Sequence, residues 1–185
     1  MSKKIVILNG GPRLNGNTAA LIQEFTEGAK ENGNTVERFD LQKLVIHGCL
    51  GCCCGGKNPE SPCVQKDDME KIYPEYRSTD VLVLASPMYY WAVSGQLKTA
   101  IDRLFAITEC DPNYQTPKKE VVLLMAAEGT GEKNDAPVLD YYHSLCGFLD
   151  WKDCGSIIAG GVFKIGDIAG HPALKKAYEL GKSIH

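Results

Sequence analysis

At 185 residues with 44% hydrophobic content, the chain is long enough to bury a core of its own and suits one soluble globular domain. Its 20 basic and 23 acidic side chains leave a net charge of −3, which excludes a general affinity for polyanions and argues against nucleic acid as a partner. The apolar run at residues 5–8 is too short for a signal-peptide core or a membrane span, so no membrane partner is expected and the compartment expected is the cytoplasm.

The first element is a strand, because "KIVILN" at residues 4–9 is a β-branched run. A loop of glycine, proline and asparagine follows, and "TAALIQEFTEGAKENG" then carries apolar residues at helical spacing with Gly33 as its stop. "TVERFDL" alternates as a second strand. The long irregular piece is residues 47–66, a loop insertion that crowds Cys49, Cys52, Cys53, Cys54 and Cys63 together. "KDDMEKIYPEY" starts a short helix, with Asp67 or Asp68 as its cap and Pro74 bending or shortening it. "DVLVLASP" is an apolar third strand, "GQLKTAIDRLFAI" a helix, "EVVLLMAA" a fourth strand and "APVLDYYHSLCGFL" another helix. "CGSIIAGGVF" is a fifth strand, and "HPALKKAYELGKSI" closes as a helix.

Strands apolar on both faces, alternating with helices, predict a doubly wound α/β domain: a five-stranded parallel sheet with helices on both faces. One such domain accounts for residues 1–185. Ligands of these sheets sit at the carboxyl ends of the strands, near the point where strand order reverses, which directs attention to residues 9–17, 86–94 and 126–134.

In the first of these loops, "LNGGPRLNGNTAAL", Gly10 and Gly11 permit close backbone approach, Arg13 brings a permanent charge, and Asn17 or Thr18 can cap the helix that follows. The loop reads either as a phosphate cradle or as a plain turn. It is no nucleoside-triphosphate loop, since Asn17 stands where that motif needs lysine, and "GGPRLNG" departs from G-x-G-x-x-G although Asp40 could imitate the ribose-binding acid. What it suits is one terminal phosphate.

In the second loop Met88, Tyr89, Tyr90 and Trp91 crowd just before a helix. They either wall a planar aromatic ligand or bury a helix or subunit contact. The cysteines of 47–66 read as metal, cluster or redox chemistry in a reducing compartment, while Cys110, Cys146 and Cys154 are scattered as small buried hydrophobes usually are. His47, His143 and His171 fall on unrelated elements and form no catalytic group.

"LNGGPRLNGNT", "SPMYYWAVSGQLKTAIDR" and the intervening "CLGC…CVQKDDM" together resemble the NADPH-dependent FMN reductases, in the branch that includes the iron–sulfur flavoproteins, over residues 4 to about 103. The resemblance implies a flavodoxin-like fold with FMN phosphate at Gly11, Pro12, Arg13, Asn15, Asn17 and Thr18. Family members usually carry serine at position 11, so here the backbone N–H takes over that work. It also implies a flavin ring along Pro87, Met88, Tyr89, Tyr90 and Trp91, with Glu128, Gly129 and Gly131 closing the other side. Lys98, Asp102 and Arg103 match the family's helix signature, the last two as ion-pair or interface residues. A homodimer or homotetramer is implied as well.

Members that hold a [4Fe–4S] cluster resemble C-x2-C-x2-C-x(4–7)-C. Cys49 and Cys52 fit the first spacing, the third position falls on Gly55, and Cys49, Cys52, Cys54 and Cys63 would be the ligand set with Cys53 as a substitute for Cys54. Zinc, a Cys49–Cys52 redox pair, or a lid with packed thiols are the alternatives. The expected activity is an FMN-dependent oxidoreductase in which NAD(P)H reduces flavin N5 and the flavin passes electrons to a small-molecule acceptor, with no catalytic side chain. The alternatives are an electron carrier serving a ferredoxin-like protein through the cluster, and a zinc-stabilised flavin-binding module.

Overall fold

The computed structural model describes residues 2–185. Strand β1 (Lys4–Asn9) leads into helix α1 (Asn17–Glu31), β2 (Thr35–Asp40), α2 (Met69–Ser78) and β3 (Val81–Pro87). Next come α3 (Gly95–Arg103), the single turn α4 (Phe105–Thr108), β4 (Glu120–Ala126), α5 (Glu132–Phe148), β5 (Lys152–Ala159) and α6 (Pro172–Lys182). All strand pairs are parallel, in the order β2-β1-β3-β4-β5. This is the flavodoxin-like doubly wound sheet expected from the sequence, and its order reverses between β1 and β3.

The alternation of side chains along each strand divides the core in two. Ile5, Ile7, Val81, Val83, Val122 and Leu124 face α1 and α6, where they meet Leu21, Ile22, Phe25, Ala173 and Ala177. Val6, Leu8, Leu82, Leu84, Val121 and Leu123 face α2, α3 and α5, where they meet Ile72, Tyr73, Leu97, Val138 and Tyr142. Each buried Val, Leu, Ile or Phe among them contributes about 1.5–3 kcal/mol by leaving water. β2, one of the two edge strands, is half-exposed, which is why its sequence alternates.

α1 and α6 approach very closely. A Cβ on Gly28 would overlap the carbonyl of Tyr178, and one on Gly181 would overlap that of Phe25. Asn32 and Asn34 donate to Ile184 O at 2.6 and 2.9 Å and lock the C-terminus to the end of α1.

Four boundaries differ from the sequence expectation. β5 begins at Lys152 and carries a bulge in which Cys154 is the extra residue, between Asp153 opposite Val121 and Gly155 opposite Val122. It ends at Ala159, because Gly160 abuts Gly129 and Thr130 and Gly161 turns with φ 79°. α5 starts at Glu132, with Pro137 inside it, and the helix expected over 95–107 breaks at Leu104, whose N–H is shared by Ala100 and Ile101 carbonyls. No helix among the described residues is long and apolar enough to cross a membrane.

Candidate functional site

The loop after β1 is held from below. Buried Asn9 accepts the Gly11 N–H at 2.9 Å and donates to Asp40 Oδ1 at 2.9 Å. Asp40 therefore positions this loop rather than facing a ribose. Burial alone would raise its carboxyl, but hydrogen bonds from Asn9 and Arg38 outweigh that and hold it below the usual range. A second tether comes from buried Ser94, which donates to Gly10 O at 2.8 Å and caps α3 by accepting from Leu97 N. Ser86 Oγ accepts the Ser94 N–H at 2.8 Å, so the loops after β1 and β3 are one hydrogen-bonded unit.

Gly16, at the cap position before α1, has no side chain to cap it, which leaves the first-turn N–H groups for a ligand. Gly11, Pro12, Arg13, Gly16, Asn17 and Thr18 line a cavity of about 140 Å³ at that helix end. Asn17 is 7% exposed, and its Oδ1 has no partner, while its Nδ2 donates to Lys164 O at 3.0 Å. A buried acceptor without a donor costs about 1–3 kcal/mol.

The loop after β3 forms the ring-sized wall. Tyr89 and Ala92 exchange backbone hydrogen bonds at 3.0 and 3.1 Å around a two-residue turn in which Tyr90 (φ 49°) and Trp91 (φ 59°) are both left-handed. Such turns normally take Asn-Gly, since side chains there cost energy. Tyr90 is 94% exposed and Trp91 55% exposed. A cavity of about 190 Å³ under this turn is lined by Met88, Tyr90, Trp91, Glu128, Gly129 and Asn134. Met88 and Glu128 also line the first cavity, so the two are neighbours.

Residues 160–171 complete the site, and no sequence expectation pointed to them. Gly161 and Val162 donate to Glu128 O and Ala127 O at 3.1 and 2.9 Å, which lays this strap beside the loop after β4. Arg13 Nη1 donates to Phe163 O at 2.9 Å, and Val162 and Phe163 line the first cavity.

A family model described as NADPH-dependent FMN reductase matches residues 3–159. The chain belongs to the NADPH-dependent FMN reductase family. It is an oxidoreductase of that family. An iron–sulfur flavoprotein of Archaeoglobus fulgidus is 29% identical over 98% of this chain and 78% of its own length. A putative NAD(P)H-dependent FMN-containing oxidoreductase of Bacillus subtilis is 27% identical over 97% of both chains. Among solved structures, the NAD(P)H:quinone oxidoreductase from Methanothermobacter marburgensis superposes with a TM-score of 0.77 at 21% identity, over 100% of this chain and 98% of that one.

The residues of this FMN reductase fit the cofactor: uncapped helix N–H groups and Arg13 suit a phosphate, and the cavity beneath the aromatic turn suits a flat ring. Not every residue singled out from the sequence lies there. Asn15 lines a neighbouring groove with Leu14, Val36 and Arg38, and Gly131 caps α5 at φ 87° away from both cavities. Asn134 and Ser94, which lie in the loops 126–134 and 86–94 singled out from the sequence, and Val162 and Phe163, which no expectation named, belong to the site or its frame.

The cysteine loop of this family member docks at the carboxyl end of α3. Arg103, 2% exposed, donates through Nη1 to Asp67 Oδ2 at 2.6 Å and His47 O at 2.8 Å, and through Nη2 to Asp67 Oδ1 at 3.2 Å. Burial opposes the charge on Asp67, yet Arg103 and two backbone N–H groups hold its carboxyl below the usual range. Asp67 is thus an ion-pair partner that also accepts from Met69 N, while Asp68, the residue before α2, makes no side-chain cap. Cys49, Cys52, Cys53 and Cys63 line a cavity of about 70 Å³ beside Arg103, whereas Cys54 turns its thiol to Cys52 O at 3.0 Å. At Gly55, the third position of the cluster pattern, a Cβ would overlap the Glu109 carboxylate, which accepts the Gly55 N–H at 3.1 Å. Among the described residues, no three His, Cys, Asp or Glu side chains are grouped to hold a metal ion.

Proposed function

We propose that this FMN reductase holds the FMN phosphate on residues 11–18 and the flavin ring between the turn at Tyr89–Ala92 and the loop at Glu128–Gly129, taking electrons from NAD(P)H for a small-molecule acceptor. The observation that carries this reading is the uncapped amino end of α1, which opens on a cavity bordered by Arg13. When bound, FMN supplies the redox chemistry, and the protein's part is orientation and exclusion of water. Arg13 and the α1 amides balance the phosphate charge. Met88, Tyr89 and Trp91 provide apolar walls that raise the local strength of those electrostatic contacts. No side chain is needed as a nucleophile. The exposed Tyr90 and Trp91 fit burial against a second copy, in keeping with a homodimer or a homotetramer.

The test is the visible spectrum of the FMN-loaded protein, titrated anaerobically with NADPH. Two resolved flavin bands that bleach on addition are expected; a chain that takes up no FMN, or whose flavin NADPH leaves untouched, overturns the reading.

A second reading, an electron carrier with a [4Fe–4S] cluster and a ferredoxin-like partner, is favoured by the four cysteines around the small cavity beside Arg103. The proposed set Cys49, Cys52, Cys54 and Cys63 does not fit as it stands, because Cys54 points away and Glu109 fills the place of a third ligand at Gly55. Iron and acid-labile sulfide analysis after anaerobic reconstitution separates the two: about four irons per chain, lost on Cys63→Ser, would establish the carrier.

A further inference from the structure

The strap over residues 160–171 is anchored in the core at both ends and exposed between them. Val162 and Ile168 are buried in the core beneath α1 and α6, while residues 163–167 are exposed. Within that exposed stretch one side chain organises the backbone. Asp167 Oδ2 accepts the N–H groups of both Phe163 and Lys164, at 2.9 and 2.7 Å, and the Asp167 N–H returns to Lys164 O at 3.2 Å. The carbonyls of the same two residues then accept from the cradle: Phe163 O from Arg13 Nη1 at 2.9 Å, and Lys164 O from Asn17 Nδ2 at 3.0 Å. Each peptide is thus gripped on its N–H side by Asp167 and on its C=O side by a residue of the phosphate loop.

We propose that Asp167 is a positioning residue for the cofactor phosphate, acting through the Phe163 and Lys164 carbonyls on Arg13 and Asn17. The inference rests on the FMN reading above and adds a residue that touches neither cavity. Its physical basis is preorganisation. Arg13 is exposed, and a long free guanidinium loses much rotamer freedom when it closes on a ligand. Anchoring one of its five N–H donors on a fixed carbonyl removes part of that cost and leaves the others for phosphate oxygens. For Asn17 the strap decides the orientation of the amide, because Lys164 O tolerates only the Nδ2 side.

A role confined to phosphate recognition has a signature that general loosening of the fold lacks. Riboflavin carries the same ring and ribityl chain as FMN without the phosphate. Dissociation constants for FMN and riboflavin are measured on the full apo chain by quenching of flavin fluorescence, for wild type, Asp167→Ala and Asp167→Asn. Asp167→Ala is expected to weaken FMN about tenfold, the scale of two lost backbone hydrogen bonds, and to leave riboflavin within about twofold of wild type. Asp167→Asn keeps an acceptor oxygen for both N–H groups, so it should bind FMN within about threefold of wild type. Equal weakening of both flavins by Asp167→Ala, or an unchanged FMN constant, overturns the proposal while the FMN reading stands. A wild-type chain that binds FMN no better than riboflavin overturns both.

Discussion

Two neighbouring residues carry the clearest local conflict in the chain. Tyr90 and Trp91 occupy left-handed backbone at φ 49° and 59°, each at a cost of about 1–2 kcal/mol that Asn and Gly would avoid. Nothing in the fold requires aromatic rings at a turn that is mostly exposed, and strain kept at the edge of a cavity points to use of the side chains. The double variant Tyr90→Asn/Trp91→Gly should therefore raise the apo chain's unfolding free energy by about 2–4 kcal/mol, or about 4–16 °C in Tm for a domain of this size. The same variant should lose about tenfold or more in NADPH oxidation rate per bound flavin. A Tm that stays level would remove the strain argument, and full activity would show the rings to be dispensable. At this scale the sequence displayed Gly11, Arg13, Asn17 and the aromatic run, because glycine, charge and crowded rings each stand out in a linear string. It could not display Phe163 and Lys164, whose contribution is a backbone carbonyl that any residue possesses. Nor could it show that Asp40 acts through Asn9, a partnership made across neighbouring strands.

The helix pair α1 and α6 connects the site to the rest of the fold. The amino end of α1 borders the proposed phosphate site, and α6 follows the strap directly, so we expect the spacing of these helices to bear on the distance between the two halves of that proposed site. That spacing depends on Gly28 and Gly181, since a methyl at either would strike a backbone carbonyl that has no flexible end to move aside. Gly181→Ala should cost about 1–3 kcal/mol in denaturant unfolding, the scale of overpacking, despite alanine's better helix propensity. It should also weaken FMN more than riboflavin. Stabilisation would mean that the helices can part freely. Strands β1, β3 and β4 were legible because they are apolar on both faces, a pattern that survives without tertiary information. The start of β5 was not: Lys152 and Asp153 are exposed and the bulge at Cys154 breaks the alternation on which a strand is recognised. The early start of α5 escaped for a related reason, since Pro137 looks like a first-turn residue and lies five positions inside.

Across the whole molecule the native carboxylates lean one way. Asp40, Asp67, Glu75, Glu120 and Asp167 all have lowered pKa values, each against the effect of its own burial, and Glu37 is raised by burial and by its contact with Glu75. A carboxyl held below its unfolded value of about 3.9–4.3 adds stability that is complete above that range and is lost as pH falls through the folded value. Glu37 acts in the opposite sense, adding stability below the unfolded value and losing it as pH rises through its folded one, but it is outnumbered. The unfolded chain therefore binds more protons near pH 4 than the native one, and the unfolding free energy should be nearly level from about pH 5 to 7 and drop steeply below about pH 4. Asp67 is the strongest single contributor to argue from, because its side chain and that of Arg103 are 2% and 1% exposed and screened little by solvent. Asp67→Asn leaves Arg103 as an uncompensated buried charge, at a cost of about 3–5 kcal/mol at pH 7. It also removes one titrating group, so the acid limb of the variant should be shallower and the two curves should converge as pH falls. Urea unfolding of the two proteins between pH 3 and 7 measures both effects, and parallel curves with a constant gap would mean that the Asp67–Arg103 pair is not what protons attack first.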